Sequence, residues 1–330
     1  MRRSARGSSG YVLLPWARWD VNWYLRIITE GYNAENGTAQ FHPLLFWLSM
    51  PISRLSGMPL FGLILISSLA SLALLLVFER YARLDLPQSD ARTATLLLAC
   101  APLGFILFVP YTEGLFLLCS VLCLLLARHG NWWFAGVAGA AAVLTRQQGL
   151  FLVVPIALEI WERIRQAGDR PTQIRRALRG LPALALVPVG MLIWLLYRGI
   201  VLDDVRPDTT NLQTWIYSLL ISPSANKVVS LQAFILPWEA LALAFERLVA
   251  APSYVGIDLI FGLGFVPLVV LAWPRMRWSE RAYTIIIVLV SFAYYTGPTH
   301  PYMGLPRHLL LAFPVFIGLA PLVRGTCASQ

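Results

Sequence analysis

The sequence predicts an all-α, polytopic membrane protein that forms a single domain over residues 1–330. Hydrophobic residues make up 58% of the chain and charged residues 13%, whereas soluble domains usually carry about 25% charged residues. The mean hydropathy is +0.65. Apolar runs of roughly 15 to 20 residues, close to the length that crosses a bilayer as a helix, recur along nearly the whole chain. A water-soluble globular domain is therefore excluded.

About nine of these runs are expected to cross the membrane. They form one transmembrane part at 60–198 and another at 254–322, with an outer-face segment at 1–59 and an outer loop at 199–253. The expected spans are 60–78, 93–109, 114–127, 132–147, 148–161, 181–198, 254–273, 282–296 and 306–322.

The basic residues predict which loops share a side of the membrane. The chain has 26 basic and 17 acidic residues, giving a net charge of +9. Many arginines fall in alternate loops, which should be cytoplasmic by the positive-inside rule. These loops are 79–92, 128–131, 162–180, 274–281 and 324–330. The surplus charge thus reports topology, and no nucleic-acid partner is expected.

Residues 41–57 leave two topologies open. This apolar run contains Pro43 and Pro51 and is followed closely by a further run, starting near residue 60. It either lies on the outer surface as a juxtamembrane or re-entrant helix, with residues 1–40 outside, or spans the membrane with those residues inside. The basic N-terminus favours the second arrangement, whereas the short length and the prolines favour the first.

The outer loop at 199–253 contains a second informative segment. From residue 228 onward, Leu, Phe and Trp occur at near-helical spacing, interrupted by Glu239, Glu246 and Arg247. This pattern predicts an interfacial amphipathic helix. We expect Pro237 to bend or divide that helix, which either walls a lipid-facing groove or packs on neighbouring spans.

Asp20 stands among aromatic residues that favour the membrane surface. Trp19, Trp23 and Tyr24 surround it, and amphipathic rings settle at headgroup depth. A half-shielded carboxylate there is suited to act as a general base on a hydroxyl group. The alternative is that Asp20 pairs with Arg18 or caps a turn.

Three further charged residues lie next to apolar runs. Glu113 needs a partner or a polar cavity if it enters the hydrocarbon, unless it serves the first turn of a helix. Arg146, followed by Gln147, and Arg307 lie on the outer side, where arginines are scarce. Both are suited to bind phosphate, although Arg146 could instead extend to lipid headgroups. His300 and His308 lie near Arg307 in the sequence. A lone histidine in a turn is more often structural than catalytic, and the same applies to His42.

The sequence gives no sign of a metal site, a disulfide framework or a cofactor. Cys100, Cys119, Cys123 and Cys327 lie in or beside predicted spans without ligand-like spacing, which favours packing roles. Nucleotide-binding glycine loops are also absent from the sequence. A membrane enzyme of this kind would take its activated group from a lipid.

Several motifs occur in a fixed order from about residue 15 to 322: WARWD, WYLRIITEGY, FHPLLFWL, PYTEGLFLL, AAVLTRQQGL and PRHLLLAFPVF. Together they resemble the PIG-V family, the GPI mannosyltransferases that add the second mannose, and its bacterial relatives. The resemblance implies a GT-C-type fold whose first outer loop carries the catalytic acid, where Asp20 stands. The family's first spanning helix, before the WD motif, is expected to be missing, and this favours the outer position of residues 1–40.

The resemblance implies an inverting mannosyltransferase of the alpha-1,6 type. It would move mannose from a polyprenyl- or dolichyl-phosphate-mannose donor to a lipid-linked or surface glycan acceptor, in a bacterial plasma membrane or an endoplasmic reticulum membrane. Asp20 would be the base. The expected substrate-binding residues are Arg18, Trp19, Trp23, Tyr24, His42, Glu113, Arg146, Gln147 and Arg307. A non-catalytic scaffold subunit and a lipid or sugar transporter remain as alternatives.

Overall fold

A computed structural model describes residues 14–203, 233–250 and 252–327. The α-helices in chain order are α1 Val21–Glu30, α2 Leu44–Ser56, α3 Pro59–Ala82, α4 Gln88–Ala99, α5 Glu113–His129, α6 Trp132–Thr145, α7 Val153–Arg165, α8 Arg170–Ile200, α9 Pro237–Ala250, α10 Pro252–Ala272, α11 Trp278–Ala293, α12 Leu305–Leu309 and α13 Pro314–Cys327. Short 3-10 helices occur at Leu14–Trp16, Thr38–Gln40, Gly104–Phe108, Gln147–Leu152 and Trp273–Arg275.

The described strands are two residues long. β1 (Ala233–Phe234) pairs with β2 (Tyr294–Tyr295) in antiparallel register, with Ala233 opposite Tyr295. The rest of the regular structure in the described ranges is helical, as the apolar runs predict.

Within the described residues, three helices are long and apolar enough to cross a membrane. They are Pro59–Ala82, Arg170–Ile200 and Val255–Arg275. Trp132–Thr145 and Pro314–Val323 are shorter apolar helices. These helices support an integral membrane protein.

Several predicted spans are not continuous α-helices. The run at 148–161 begins in the 3-10 helix Gln147–Leu152, and the run at 282–296 ends in β2. The run at 93–109 divides, because α4 ends at Ala99 and a 3-10 helix follows at Gly104–Phe108. A Cβ atom on Gly104 would lie 2.2 Å from the Ala99 carbonyl oxygen, so this turn needs the close backbone approach that glycine allows. The run at 306–322 divides between α12 and α13, which begins at Pro314.

The outer-loop helix also differs from expectation. Pro237 does not bend or divide it, because α9 begins at this residue. Proline is well suited to a first helical position, where its missing N–H group has no intrahelical partner. The predicted helix-forming residues before 233 lie outside the described ranges.

The two charged ends of the helix bundle define its direction. We call the end of the bundle that contains Asp85, Arg128, Glu162 and Arg277 the basic end. Arg128 makes two hydrogen bonds to Asp85, at 2.6 and 3.0 Å, and Arg277 lies 2.7 Å from Glu162. These ion pairs join loops that the positive-inside rule places on one side of the membrane.

The geometry of α2 favours a juxtamembrane helix. It follows His42, whose Nδ1 atom lies 2.6 Å from the carbonyl oxygen of Val143, near the C-terminal end of α6. It ends at Ser56, just before α3, and Ser53 donates a hydrogen bond to the Pro59 carbonyl at 3.1 Å. Both ends of α2 therefore lie at the end of the bundle opposite the basic end, so the helix does not connect the two ends.

Small residues bring α6 and α8 close together. A Cβ atom on Gly190 of α8 would lie 2.4 Å from the carbonyl oxygen of Ala140 and 3.0 Å from the Cβ atom of Val143. Backbone atoms cannot move aside as a flexible side chain can. This contact therefore depends on glycine.

We expect Gly190→Ala to lower the free energy of unfolding by about 1–3 kcal/mol, the usual cost of overpacking a close helix contact. The measurement is denaturant unfolding of the detergent-solubilised protein. Gly264→Ala in α10 is the control, because no atom lies within 4 Å of the added methyl group. Equal stability of the two variants would contradict the close contact between α6 and α8.

Candidate active site

Asp20 is held by an unusual backbone conformation and a distant partner. Trp19 has a φ of +48°, a left-handed conformation that costs a non-glycine residue about 1–2 kcal/mol. Asp20 stands at the start of α1, but its side chain makes no capping hydrogen bond. Its Oδ2 atom instead accepts a hydrogen bond from Nη1 of Arg307 at 2.5 Å. The alternative interpretation, in which Asp20 pairs with Arg18 or caps a turn, is therefore not what the structure shows.

Glu113 is fully buried at the first position of α5. Its Oε1 atom accepts a hydrogen bond from Nη1 of Arg146 at 2.8 Å, and Nε of Arg307 lies 3.2 Å from the same oxygen. Arg146 also donates to Oγ1 of Thr112 at 2.9 Å. A buried carboxylate needs such partners, because its desolvation is otherwise too costly.

Asp20, Glu113, Arg146 and Arg307 form one charge cluster, which defines the site end of the bundle. Arg307 connects its two halves, since it contacts both carboxylates. Its guanidinium also lies 5.3 Å from the centre of the Tyr111 ring, a cation–π geometry. The two carboxylates and two guanidiniums balance in formal charge. An additional anion would therefore have to bind through hydrogen bonds that the arginines donate.

A cavity of about 490 Å³ opens beside this cluster. The expected site residues in its wall are Trp19, Asp20, Trp23, Tyr24, His42, Arg146, Gln147 and Arg307. Glu113 lies behind the two arginines, fully buried. Arg18 is exposed and is not part of the wall. The structure thus brings together all the expected site residues except Arg18.

The aromatic residues around Tyr24 pack on one another. The Tyr24 ring is buried and meets Phe41, Phe46 and Tyr111 edge to face, with ring centres 5.1 to 6.0 Å apart. Edge-to-face arrangements at these distances are favoured for aromatic pairs. The loop that carries Asp20 is therefore fastened to the helix that begins at Glu113.

His42 contributes a neutral imidazole to the cavity. Burial lowers the pKa of His42 to about 3, although the hydrogen bond to the Val143 carbonyl acts in the opposite direction. A carbonyl oxygen only accepts hydrogen bonds, so Nδ1 carries the proton and Nε2 is an acceptor. His42 can therefore receive a hydroxyl hydrogen bond, but it does not supply positive charge near neutral pH.

Asp258 and its pairing with His300 were not predicted from the sequence. Asp258 of α10 lines the same cavity, and its Oδ2 atom lies 2.6 Å from Nε2 of His300. The available signal was an acidic residue within the apolar run at 254–273, which requires a partner for the same reason as Glu113. Thr112 and Gln148 also line the cavity and were not singled out.

Across the described ranges, no group of three or more His, Cys, Asp and Glu residues is arranged to hold a metal ion. Among the cysteines, Cys119 and Cys123 are buried and Cys100 is exposed, and all three are free thiols. The groups in the wall of the described site include carboxylates, guanidiniums and imidazoles.

The burial of Glu113 predicts a large effect on stability. Glu113→Ala would leave Arg146 without its carboxylate partner, and we expect a loss of about 3–5 kcal/mol in the free energy of unfolding. Glu30→Ala is the control, because Glu30 forms an exposed ion pair with Arg26 at 3.0 Å. That pair should contribute less than about 1 kcal/mol. Similar losses in the two variants, measured by denaturant unfolding, would argue against a buried anchoring role for Glu113.

Comparison with known proteins gives a likeness in fold. No protein-family model matches the chain, and no curated protein matches it. A solved structure does: ArnT from Cupriavidus metallidurans bound to undecaprenyl phosphate, with a TM-score of 0.55 and 14% sequence identity. The match covers 97% of this chain and 62% of ArnT, so the chain spans less than two thirds of that protein. The likeness confirms an all-α polytopic membrane fold of the GT-C type, while the PIG-V family in particular has no support from these comparisons.

Proposed function

We propose that this protein is a membrane glycosyltransferase that moves a sugar from a polyprenyl phosphate to a hydroxyl group of an acceptor. The observation that carries the proposal is the convergence of Asp20, Arg146 and Arg307 on one cavity. The fold adds support, because ArnT was solved with undecaprenyl phosphate bound. The motifs shared with PIG-V enzymes point to mannose as the sugar and to polyprenyl- or dolichyl-phosphate-mannose as the donor.

Arg146 and Arg307 are the groups suited to bind the donor phosphate. Both guanidiniums lie in the cavity wall, and their side chains are 13% and 21% exposed. Guanidinium groups hold phosphate oxygens through paired, charge-assisted hydrogen bonds. Because Glu113 anchors both arginines from behind, they are positioned before the donor arrives, and this preorganisation favours electrostatic stabilisation of the leaving group.

The transfer is a single displacement at the anomeric carbon. The acceptor oxygen forms a bond to this carbon while the bond from the carbon to the phosphate oxygen breaks, and that electron pair leaves with the polyprenyl phosphate. The hydroxyl proton passes to the carboxylate of Asp20, which acts as the general base. One displacement inverts the configuration at the carbon, by the same logic as in inverting glycosidases.

The acceptor is proposed to bind against the remaining walls of the cavity. Trp19 and Trp23 flank Asp20 and offer aromatic faces, and Asp258 of α10, which pairs with His300, offers a hydrogen-bonding carboxylate. The neutral Nε2 of His42 is a further acceptor for a hydroxyl group. A lipid-linked or surface glycan fits these groups, because a sugar presents both apolar faces and hydroxyls.

The proposed topology places the site end outside the cytoplasm. The basic end would then face the cytoplasm, consistent with the arginine-rich loops that meet there. With about nine spans, the protein would be multi-pass in a bacterial plasma membrane, or in the endoplasmic reticulum membrane of a eukaryote.

We expect Asp20→Asn to reduce sugar transfer by at least about 100-fold, because the amide retains the shape of the side chain but cannot accept the proton. Purified protein in liposomes is supplied with radiolabelled polyprenyl-phosphate-mannose and a membrane glycolipid extract, and labelled product is counted. Asp169→Asn is the matched control. Asp169 caps α8 by accepting a hydrogen bond from the Thr172 backbone, and asparagine caps helices equally well.

The same assay separates the proposal from its two alternatives. A scaffold subunit would give no labelled product with purified wild-type protein, and a transporter would move the labelled donor across the bilayer without forming product. Wild-type turnover in Asp20→Asn, in protein that inserts normally, would remove Asp20 from the mechanism.

The proposed sidedness predicts a labelling pattern in intact cells. Asn22→Cys, next to the charge cluster, should react with a membrane-impermeant thiol reagent, whereas Ser89→Cys at the start of α4 should react only after permeabilisation. Both positions are exposed. Cys100 and Cys327 are replaced by serine in both variants, so that the labelling reports the new thiols. Labelling of residue 22 only after permeabilisation would place the site end inside and contradict the proposed topology.

A further inference from the structure

A second cavity, of about 830 Å³, lies away from the charge cluster, beside the N-terminal turns of α6 and α8. We call it the α6–α8 groove. The residues of its wall that matter here are Trp133, Phe134, Ile174, Arg175, Leu178 and Arg179. The helix α6 begins directly after the loop at 128–131, so the groove lies at the basic end. The site already described is at the other end of the bundle.

One part of the groove is strongly apolar and open. Trp133 and Phe134 are 67% and 69% exposed, and Ile174 and Leu178 are 53% and 60% exposed. Adjacent large apolar side chains with this exposure mark a surface that is normally covered by another molecule. In a membrane protein the chains of a lipid are the neighbours with matching chemistry.

The other part of the groove carries two positive charges. Arg175 and Arg179 are exposed and are four residues apart, so they stand on one face of α8. Within the part of the chain that the structure describes, neither has an ion pair or a side-chain hydrogen bond, whereas Arg128 and Arg277 at the same end are both paired with acids. Two like charges at this spacing repel each other, and a bound anion would relieve that repulsion.

The length of α8 places these arginines at headgroup depth. The helix has 31 residues, or about 46 Å at 1.5 Å per residue, while the hydrocarbon core of a bilayer is about 30 Å thick. The excess includes the arginine-rich first turns, which hold Arg170, Arg175, Arg176 and Arg179. The apolar residues of the groove then reach toward the acyl region next to the headgroups.

We propose that the α6–α8 groove binds an anionic phospholipid. The phosphate is held by the guanidiniums of Arg175 and Arg179, and an acyl chain lies along Trp133, Phe134 and Leu178. Basic pockets at the cytoplasmic ends of membrane helices are suited to such headgroups, and arginine pairs with phosphate through more than one hydrogen bond. The proposal depends on the membrane-spanning fold and not on the proposed enzymatic activity.

The test measures which lipids the purified protein retains. Protein is reconstituted in a mixture of phosphatidylcholine and phosphatidylglycerol, extracted in mild detergent, and analysed by native mass spectrometry. We expect the wild type to retain phosphatidylglycerol, and the double variant Arg175→Gln/Arg179→Gln to lose this preference by roughly 10- to 30-fold. Arg80→Gln/Arg165→Gln is the matched control, because it removes two exposed charges from the basic-end last turns of α3 and α7, outside the groove.

Three results would overturn the proposal. Equal losses in the double variant and the control would show a general charge effect, and no preference for phosphatidylglycerol in the wild type would remove the anionic headgroup. Displacement of the lipid by inorganic phosphate alone would identify a site for a free anion. Thermal unfolding in detergent, expected to be unchanged because both arginines are exposed, confirms that the double variant is folded.

Discussion

The buried carboxylate of Glu113 is the interaction on which the site end depends. It lies at the first position of α5 and contacts guanidinium groups from two other segments, those of Arg146 and Arg307. Either arginine placed there alone would be an uncompensated charge in a mostly apolar bundle. With Glu113 in place, Arg307 is directed toward Asp20, so the loop that carries the proposed base is bound to helices that are distant in sequence.

The few charges of this chain lie where they align its helices. α5 illustrates the arrangement. It begins at buried Glu113, and near its other end Arg128 makes hydrogen bonds to Asp85. Its 17 residues span about 25 Å, and its buried positions between the ends are mostly apolar or small. Apolar packing alone tolerates sliding of helices past one another, whereas ion pairs at both ends favour one register. A chain with only 13% charged residues can therefore still specify how its helices align.

The helices were predictable from the sequence where an apolar run contains no tight turn, and less predictable elsewhere. The span expected at 114–127 is within two residues of the observed Glu113–His129, whereas the run at 93–109 divides at a turn that requires Gly104. Charges beside apolar runs identified the members of the charge cluster. Their pairing was not predictable, because Asp20 meets Arg307 across 287 residues. The Asp258–His300 pair followed from the same rule, but the acid within that run was overlooked.

The contact between Asp20 and Arg307 gives the proposed mechanism a physical coupling. In the structure this guanidinium is directed to two carboxylates, and it also lies in the wall where the donor phosphate is proposed to bind. In the proposed transfer, the proton that reaches Asp20 would neutralise its carboxylate and weaken its hold on Arg307. Negative charge would develop on the leaving phosphate in the same step. The guanidinium would then be free to stabilise this charge as it forms. One arginine shared between the base and the leaving group would thus link proton transfer to departure of the lipid phosphate, without any change in the net charge of the cluster and the bound donor.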